Sequence, residues 1–407
     1  MLNIRSLTCF LNPGFPVATG RIASAAESLA RVKAALEAAD YPVQTVRLAT
    51  IPFPALVGAD AGQAVRLAID LEALCFAAHV DYVSVGPARL ADSADHYRVI
   101  PDIIGATQNV YASAVIAEPQ AGIRLPNLKL AAEVIRRCAQ VAPDGLGNLR
   151  FAALANVPAG VPFFPPAYAP PGRPRCAVGV EAASLAVSVL AEAASLADAR
   201  SRLISEVESH AQAITRLVRN SLGRFGMPFS GLDFSFVPYP DEARSLGAAL
   251  ERLSGSRMGE PGTLAAAAFL ADALDRAEYK RAGLSGLSLP VTEDSRLAMR
   301  AAEGVLTIGD LLLYAGAGGS GPDAVPLPGD TPVEALAAVL ADVGALALRL
   351  NRPMAARLVP IPGKQAGDEV TFHAPDLAAT RVLAIGASHW GGLFAGDESV
   401  SFVPRRP

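Results

Sequence analysis

Apolar runs with strand character recur through the first 156 residues, at about 3–10, 43–49, 81–86, 110–116 and 149–156. Between them apolar positions return every three to four residues, over 21–39, 61–78, 98–106 and 127–140, the spacing of helices with one buried face. Strands alternating with helices pair in parallel through right-handed crossovers that cover the outer face of the sheet. Five strands by residue 156 therefore predict a half-barrel or an open parallel sheet. The remainder repeats the logic less regularly. Strands are expected at 175–181, 231–238, 286–291, 310–315, 355–361 and 380–386, and helices over 184–223, 264–281, 295–304 and 332–350. For the last helix, Thr331, Pro332 and Glu334 supply an N-cap, a first-turn proline and a capping-box acid. The Pro-rich stretch 158–174 is the one hinge candidate, yet its Phe163, Phe164 and Tyr168 favour a packed loop. One domain over 1–407 is expected, with halves at about 1–156 and 157–407.

Composition adds exclusions. Hydrophobic residues make up 51% and charged residues 18%, which rules out disorder and allows a large core. A net charge of −4 offers no basic stripe for nucleic acid. Mean hydropathy of +0.32 raises the question of a membrane. A spanning helix needs ~20 apolar residues, and Glu192, Asp198, Glu334 and Asp342 interrupt the longest candidates. The N-terminus has no basic n-region, long apolar core or small-residue cleavage site of a signal peptide. Cys9, Cys75, Cys138 and Cys176 form no CxxC and sit among apolar neighbours. Buried reduced thiols and a cytoplasmic location are the expectation.

Gly316, Gly318 and Gly321 satisfy the spacing of a dinucleotide fingerprint. That motif needs a helix to start at its end, and Pro322, Pro326 and Pro328 forbid one. No cofactor is therefore expected. Instead, 316–330 is expected to be a loop that enters or caps the barrel, with 316–323 as a lid; the glycines equally suit a tight crossing of chains. The histidines at 79, 96, 210, 373 and 389 make no ligand-spaced pair, so no metal site is expected. Strand alternation puts Asp233 and Ser235 on one face, where a buried acid and hydroxyl need partners. Asp294 precedes a helix and suits an N-cap. Gly262 and Thr263 open a helix, as a cap or as free N–H groups for an anion. Asp323 follows the glycine loop. Arg357 interrupts an apolar strand, positioned either to clamp a carboxylate or to pair with a local Asp.

These segments resemble the domain-of-unknown-function family 711. The resemblance rests on six ordered blocks, at 148–168, 231–251, 260–268, 283–301, 319–330 and 357–372, the second reading GLDFSFVPYPDEARSLGAALE. It implies an α/β barrel like that of pyruvate formate-lyase, about ten strands in two five-stranded parallel halves. Radical enzymes of that fold store the radical on a C-terminal Gly in an Arg-Val-x-Gly-Tyr context. Here the nearest match is Arg381-Val382-Leu383-Ala384, and the central loop holds no Cys. No glycyl radical is expected. Relatives usually carry Cys where this chain has Gly318 and His where it has Ala169.

The expected function is a non-radical enzyme acting on a small anionic substrate, oxo-acid or amino-acid-like, inside the barrel. Asp233 and Asp323 are the catalytic candidates, and Arg357 with Gly262 and Thr263 forms the anion clamp. Asn156, Tyr168, Ser235 and Gly321 complete the binding set. The competing reading, favoured by the missing Cys and His, is a ligand-binding or regulatory barrel without catalysis; a purely structural subunit is the third. Expected partners are the small anion and a second copy of the chain in a homodimer, with neither nucleic acid nor membrane.

Overall fold

The computed structural model describes residues 2–223, 226–386 and 391–405; His389 lies outside them. Its strands are β1 (Asn3–Leu11), β2 (Val46–Thr50), β3 (Tyr82–Ala88), β4 (Val110–Glu118), β5 (Gly122–Arg124), β6 (Phe151–Ala155), β7 (Arg175–Glu181), β8 (Phe229–Asp233), β9 (Val325–Pro328), β10 (Met354–Ala356), β11 (Leu358–Ile361), β12 (Glu369–Val370), β13 (Thr380–Arg381) and β14 (Ser399–Val400). The main sheet runs β10-β6-β4-β3-β2-β1-β7-β8, with β5 and β14 attached beside β4. Neighbours from β1 through β2, β3 and β4 to β6 are parallel, as crossover helices require. β7 and β8 are also parallel to each other, but β7 meets β1 antiparallel and β10 meets β6 antiparallel. Two parallel groups of opposite direction therefore share one sheet.

Hydrogen bonding continues past β8 through segments too short to be regular strands. Leu232 bridges Arg281, Phe236 bridges Leu287, Leu287 bridges Gly319 and Pro290 bridges Asp323, all in parallel. Ala355 N then donates to Ser320 O at 2.8 Å, Arg357 N to Pro322 O at 3.1 Å, and β9 pairs with β11 in parallel. The main core lies between the sheet and its helices, where Thr19–Glu37 packs on Leu196–Leu222 and Leu125–Cys138 on Val333–Leu350. Strands such as β6 are buried throughout, which is why they read as continuous apolar runs.

The connection 156–174 is packed against the sheet's other face and is no hinge. Ser6 and Thr8 both donate to Pro162 O, at 3.0 and 2.8 Å, and Ser84 donates to Ala167 O at 2.6 Å. Phe164, Ala167 and Ala169 bury themselves against Phe10, Ala49 and Ala177. Gly179 is needed where the connection presses on β7: a Cβ there would stand 2.8 Å from the Phe163 ring.

Four expectations need correction. Residues 310–315 are not a strand but part of the helix Ile308–Ala317, started by a capping box between Thr307 and Asp310. The segment 316–330 is not a lid, because 319–323 bridges its neighbours and continues as β9. Helix Val333–Leu350 has no capping box, since the Thr331 hydroxyl donates to Pro328 O instead. In 380–386 only Thr380 and Arg381 form a strand, paired with β12. No helix among the described residues is long and apolar enough to cross a membrane.

Candidate functional site

A cavity of about 570 Å³ opens at one end of the sheet. The starts of the first parallel group face it through Asn3, Arg5, Arg47, Tyr82 and Tyr111, and the ends of the second through Ser235, Ser288, Ser320, Asp323 and Arg357. The opposite strand directions bring the two sets to the same end. Phe163, Phe164, Pro165 and Pro166, the middle of the 156–174 connection, also line it. Alternation explains most placements: Tyr82 and Tyr111 face the cavity while Ser84, two residues further along β3, meets the connection. β1 has a bulge between Ile4 and Ser6, so Arg5 faces the cavity while Ser6 still reaches Pro162.

Most charges here are satisfied within a ladder. Arg357 pairs with Asp323 through Nε and, at 2.9 Å, through Nη2, and with Glu293 Oε1 at 2.9 Å. Arg5 joins Glu293 at 3.2 Å to Glu181 at 3.3 Å, and Arg244 pairs with Glu181 at 3.5 Å and Asp241 at 2.5 Å. Burial pushes the Glu293 carboxyl up, but Arg357 and Arg5 outweigh it and hold the group below its ordinary range. Burial likewise works against the Arg357 cation, and Asp323 and Glu293 more than offset it.

Arg47 differs. It is 7% exposed and forms no ion pair among the described residues. Its Nε donates to Thr45 Oγ1 at 2.8 Å, and its guanidinium carbon lies 5.6 Å from the Tyr82 ring centroid and 5.1 Å from that of Phe164. Burial pulls the Arg47 cation down to about 10. Burial also pushes the Tyr111 phenol up to about 12. The Tyr82 and Tyr111 hydroxyls have no hydrogen-bond partner among the described residues. One buried cation, whose one described acceptor is Thr45 Oγ1, and two partly buried phenols thus face the same cavity. A bound anion can accept hydrogen bonds from all three.

Among the residues singled out from sequence, Ser235, Asp323 and Arg357 meet at this cavity. Asp233 does not line it, but sits fully buried behind Ser235. It accepts from Ser235 Oγ at 2.6 Å, Leu284 N at 2.6 Å and Ser285 N at 2.9 Å, so it holds the turn after Gly283. Burial pushes its carboxyl up to about 6, against the pull of those three donors. The remaining residues do not line the cavity. Asn156 follows the far end of β6, roughly 13 Å from Ala152 at ~3.3 Å per residue, and donates to Asn351 Oδ1 at 3.4 Å. The Tyr168 hydroxyl donates to Val157 O at 2.9 Å. Thr263 is spent on Arg257 O and Glu260 O, at 3.2 and 2.9 Å, with Gly262 as its N-cap. Gly321 serves a backbone crossing, where a Cβ would stand 2.2 Å from Ala355 O. Asp294 is an N-cap, accepting from Arg296 N and Leu297 N. Arg47, Tyr82 and Tyr111 escaped the sequence reading. The signal for Arg47 was present, since it interrupts the apolar run 43–49 just as Arg357 interrupts its strand.

The family model described as "Uncharacterised ACR (DUF711)" matches residues 1–376. A UPF0210 protein of Pyrobaculum islandicum is 32% identical over 398 residues, covering 90% of this chain and 87% of that protein. One from Pyrobaculum arsenaticum is 33% identical over 373 residues, covering 86% and 80%. One from Desulforudis audaxviator is 34% identical over 284 residues, covering 67% and 63%. With a match over residues 1–376, which include β1 to β12 and the 156–174 connection, this chain belongs to the DUF711 family.

Proposed function

We propose that the protein binds a small organic anion in the cavity at the sheet's end, through Arg47, and acts on it without radical chemistry. The observation that carries this reading is a buried guanidinium that forms no ion pair among the described residues, lining the cavity beside two phenols without hydrogen-bond partners there. Pockets of roughly 300–1,000 Å³ with a few converging polar groups are the usual form of small-molecule sites. The surroundings supply the rest of an active site. Tyr82 and Tyr111 offer hydroxyls to an oxyanion, and Asp323, paired with Arg357, lines the same cavity. Asp233 acts at one remove, by fixing the turn that carries Leu284 into the wall.

The frame for this site is, in our reading, a closed barrel in one domain. Five strands come from β1, β2, β3, β4 and β6, and five from β7, β8 and the segments 286–291, 319–328 and 354–361. The bridges from Leu232 to Arg281, Phe236 to Leu287 and Leu287 to Gly319 support closure, and the Ala355–Ser320 hydrogen bond carries them on to β10. An experimental structure with 286–291 detached from 319–323 would reject it.

The function is tested by calorimetric titration of the whole protein with a panel of carboxylates, oxo-acids, sulfates and phosphates. At least one is expected to bind to wild type and to lose at least tenfold affinity in Arg47→Met. An anion that binds equally well to both proteins places the site elsewhere. Turnover of a bound anion distinguishes an enzyme from a ligand-binding barrel without catalysis.

A further inference from the structure

We infer that the ligand is a monoanion with a flat, largely apolar body, such as an aromatic carboxylate, and not a phosphate dianion. This rests on the anion-binding reading above and specifies its chemistry.

Charge sets the first limit. Arg357 is taken by Asp323 and Glu293, and Arg5 by Glu293 and Glu181. Arg244 is taken by Glu181 and Asp241, and Arg47 is the cavity cation without an ion pair among the described residues, although Glu293 also attracts it, so the site offers a ligand one guanidinium. A second charge on the same head would find no further cation and would face the carboxylates of Glu293 and Asp323, which line the same space. In a buried setting that repulsion is weakly screened.

Shape sets the second limit. The Tyr82 and Phe164 rings lie against the Arg47 guanidinium, and Tyr111 meets both rings edge-on at 5.3 Å. Aromatic edges favour another ring's face. Phe163, Val237 and Leu284 continue the apolar lining, and a volume of about 570 Å³ leaves a three-carbon acid most of the space unfilled. Ser288 and Ser320, whose hydroxyls have no partner among the described residues, offer hydrogen bonds to a polar substituent on the far side of such a body.

The test uses matched probes on the full chain at about pH 7.5, where a phosphate monoester is mostly dianionic, its second pKa being about 6. Phenyl sulfate and phenyl phosphate share size and shape and differ in charge; benzoate and pyruvate share a carboxylate and differ in body. Phenyl sulfate is expected to bind at least tenfold more tightly than phenyl phosphate, and benzoate more tightly than pyruvate. Arg47→Met should weaken phenyl sulfate and benzoate at least tenfold and abolish the charge preference, and Tyr111→Phe should weaken benzoate several-fold while keeping that preference. Phenyl phosphate binding as tightly as phenyl sulfate, with loss in Arg47→Met, overturns the monoanion inference while leaving the anion site standing. Pyruvate matching benzoate overturns the flat body in the same way. Binding of no probe to wild type removes the inference together with the site.

Discussion

At the scale of single residues, the site is organised by which buried charges have partners. Arg357 and Arg5 are embedded in carboxylates, whereas Arg47 is left to rings and one hydroxyl. Burying a cation without a counter-charge costs several kcal/mol, which ring faces recover only in part. Arg47→Met is therefore expected to leave the ligand-free protein as stable or up to about 2 kcal/mol more stable, on the scale of removing an uncompensated buried charge. Chemical denaturation measures it, and a clear loss of stability would show that Arg47 supports the fold. Asp233 gives a pH signature. Its folded-state carboxyl lies at about 6, above the ordinary 3.8, so the folded chain holds that proton more tightly than the unfolded chain. The contribution is complete below about pH 4 and is lost as pH rises through 6, amounting to about 3 kcal/mol at 1.36 kcal/mol per unit. Asp233→Asn should remove this slope, so its stability relative to wild type should rise between pH 4 and 7. Parallel stability curves for the two proteins would contradict the assignment. The sequence made Asp233 legible as a buried acid sharing a face with Ser235. It could not show that a turn 50 residues away supplies the other two donors.

At the scale of elements, legibility follows regularity. The first five strands were readable because each is a buried apolar run between amphipathic helices, and β1, β3, β4, β6 and β7 fall within a few residues of their expected spans. The second group was less readable because 286–291 and 319–323 meet their neighbours only at single bridges. Such contacts leave no periodicity to detect. The run DLLLYA reads as a strand on its apolar content, although Asp310, its first residue, stands at capping-box spacing from Thr307. The glycine-rich stretch offered two readings, ligand approach or chain crossing, and the crossing is what the structure contains. Gly321 has φ of +112° and lies where a side chain would collide with Ala355 O. Gly321→Ala is expected to cost roughly 2 kcal/mol or more through combined strain and displacement. A fall in the denaturation midpoint would show this. Unchanged stability with impaired ligand binding would instead return Gly321 to the ligand.

At the scale of the whole molecule, two parallel groups of opposite direction place strand starts from one beside strand ends from the other. No local sequence signal encodes that meeting, which is why Arg5, Glu181 and Glu293 went unnoticed although each is an ordinary residue in an ordinary run. Their ladder is the polar contact between the groups at the cavity end. Arg5 stands on β1, Glu181 on β7, and Glu293 follows the 286–291 segment. The Glu181 side chain is only 1% exposed, and Asn3 and Gln44 also donate to it, at 3.2 and 2.8 Å. Removing one member of a buried ionic network leaves the others uncompensated, a loss of about 3–5 kcal/mol, whereas removing both sides together is far cheaper. Arg5→Met should therefore be strongly destabilising, and adding Glu181→Gln should recover a large part of the loss. The double-mutant cycle reads this directly from denaturant midpoints. Additive losses would mean that Arg5 and Glu181 act independently and that the β1–β7 backbone ladder and apolar packing join the two groups without them. Recovery in the double variant would identify the ladder as the clamp that sets the cavity's width, and with it the spacing between Arg47 on one wall and Asp323 on the other.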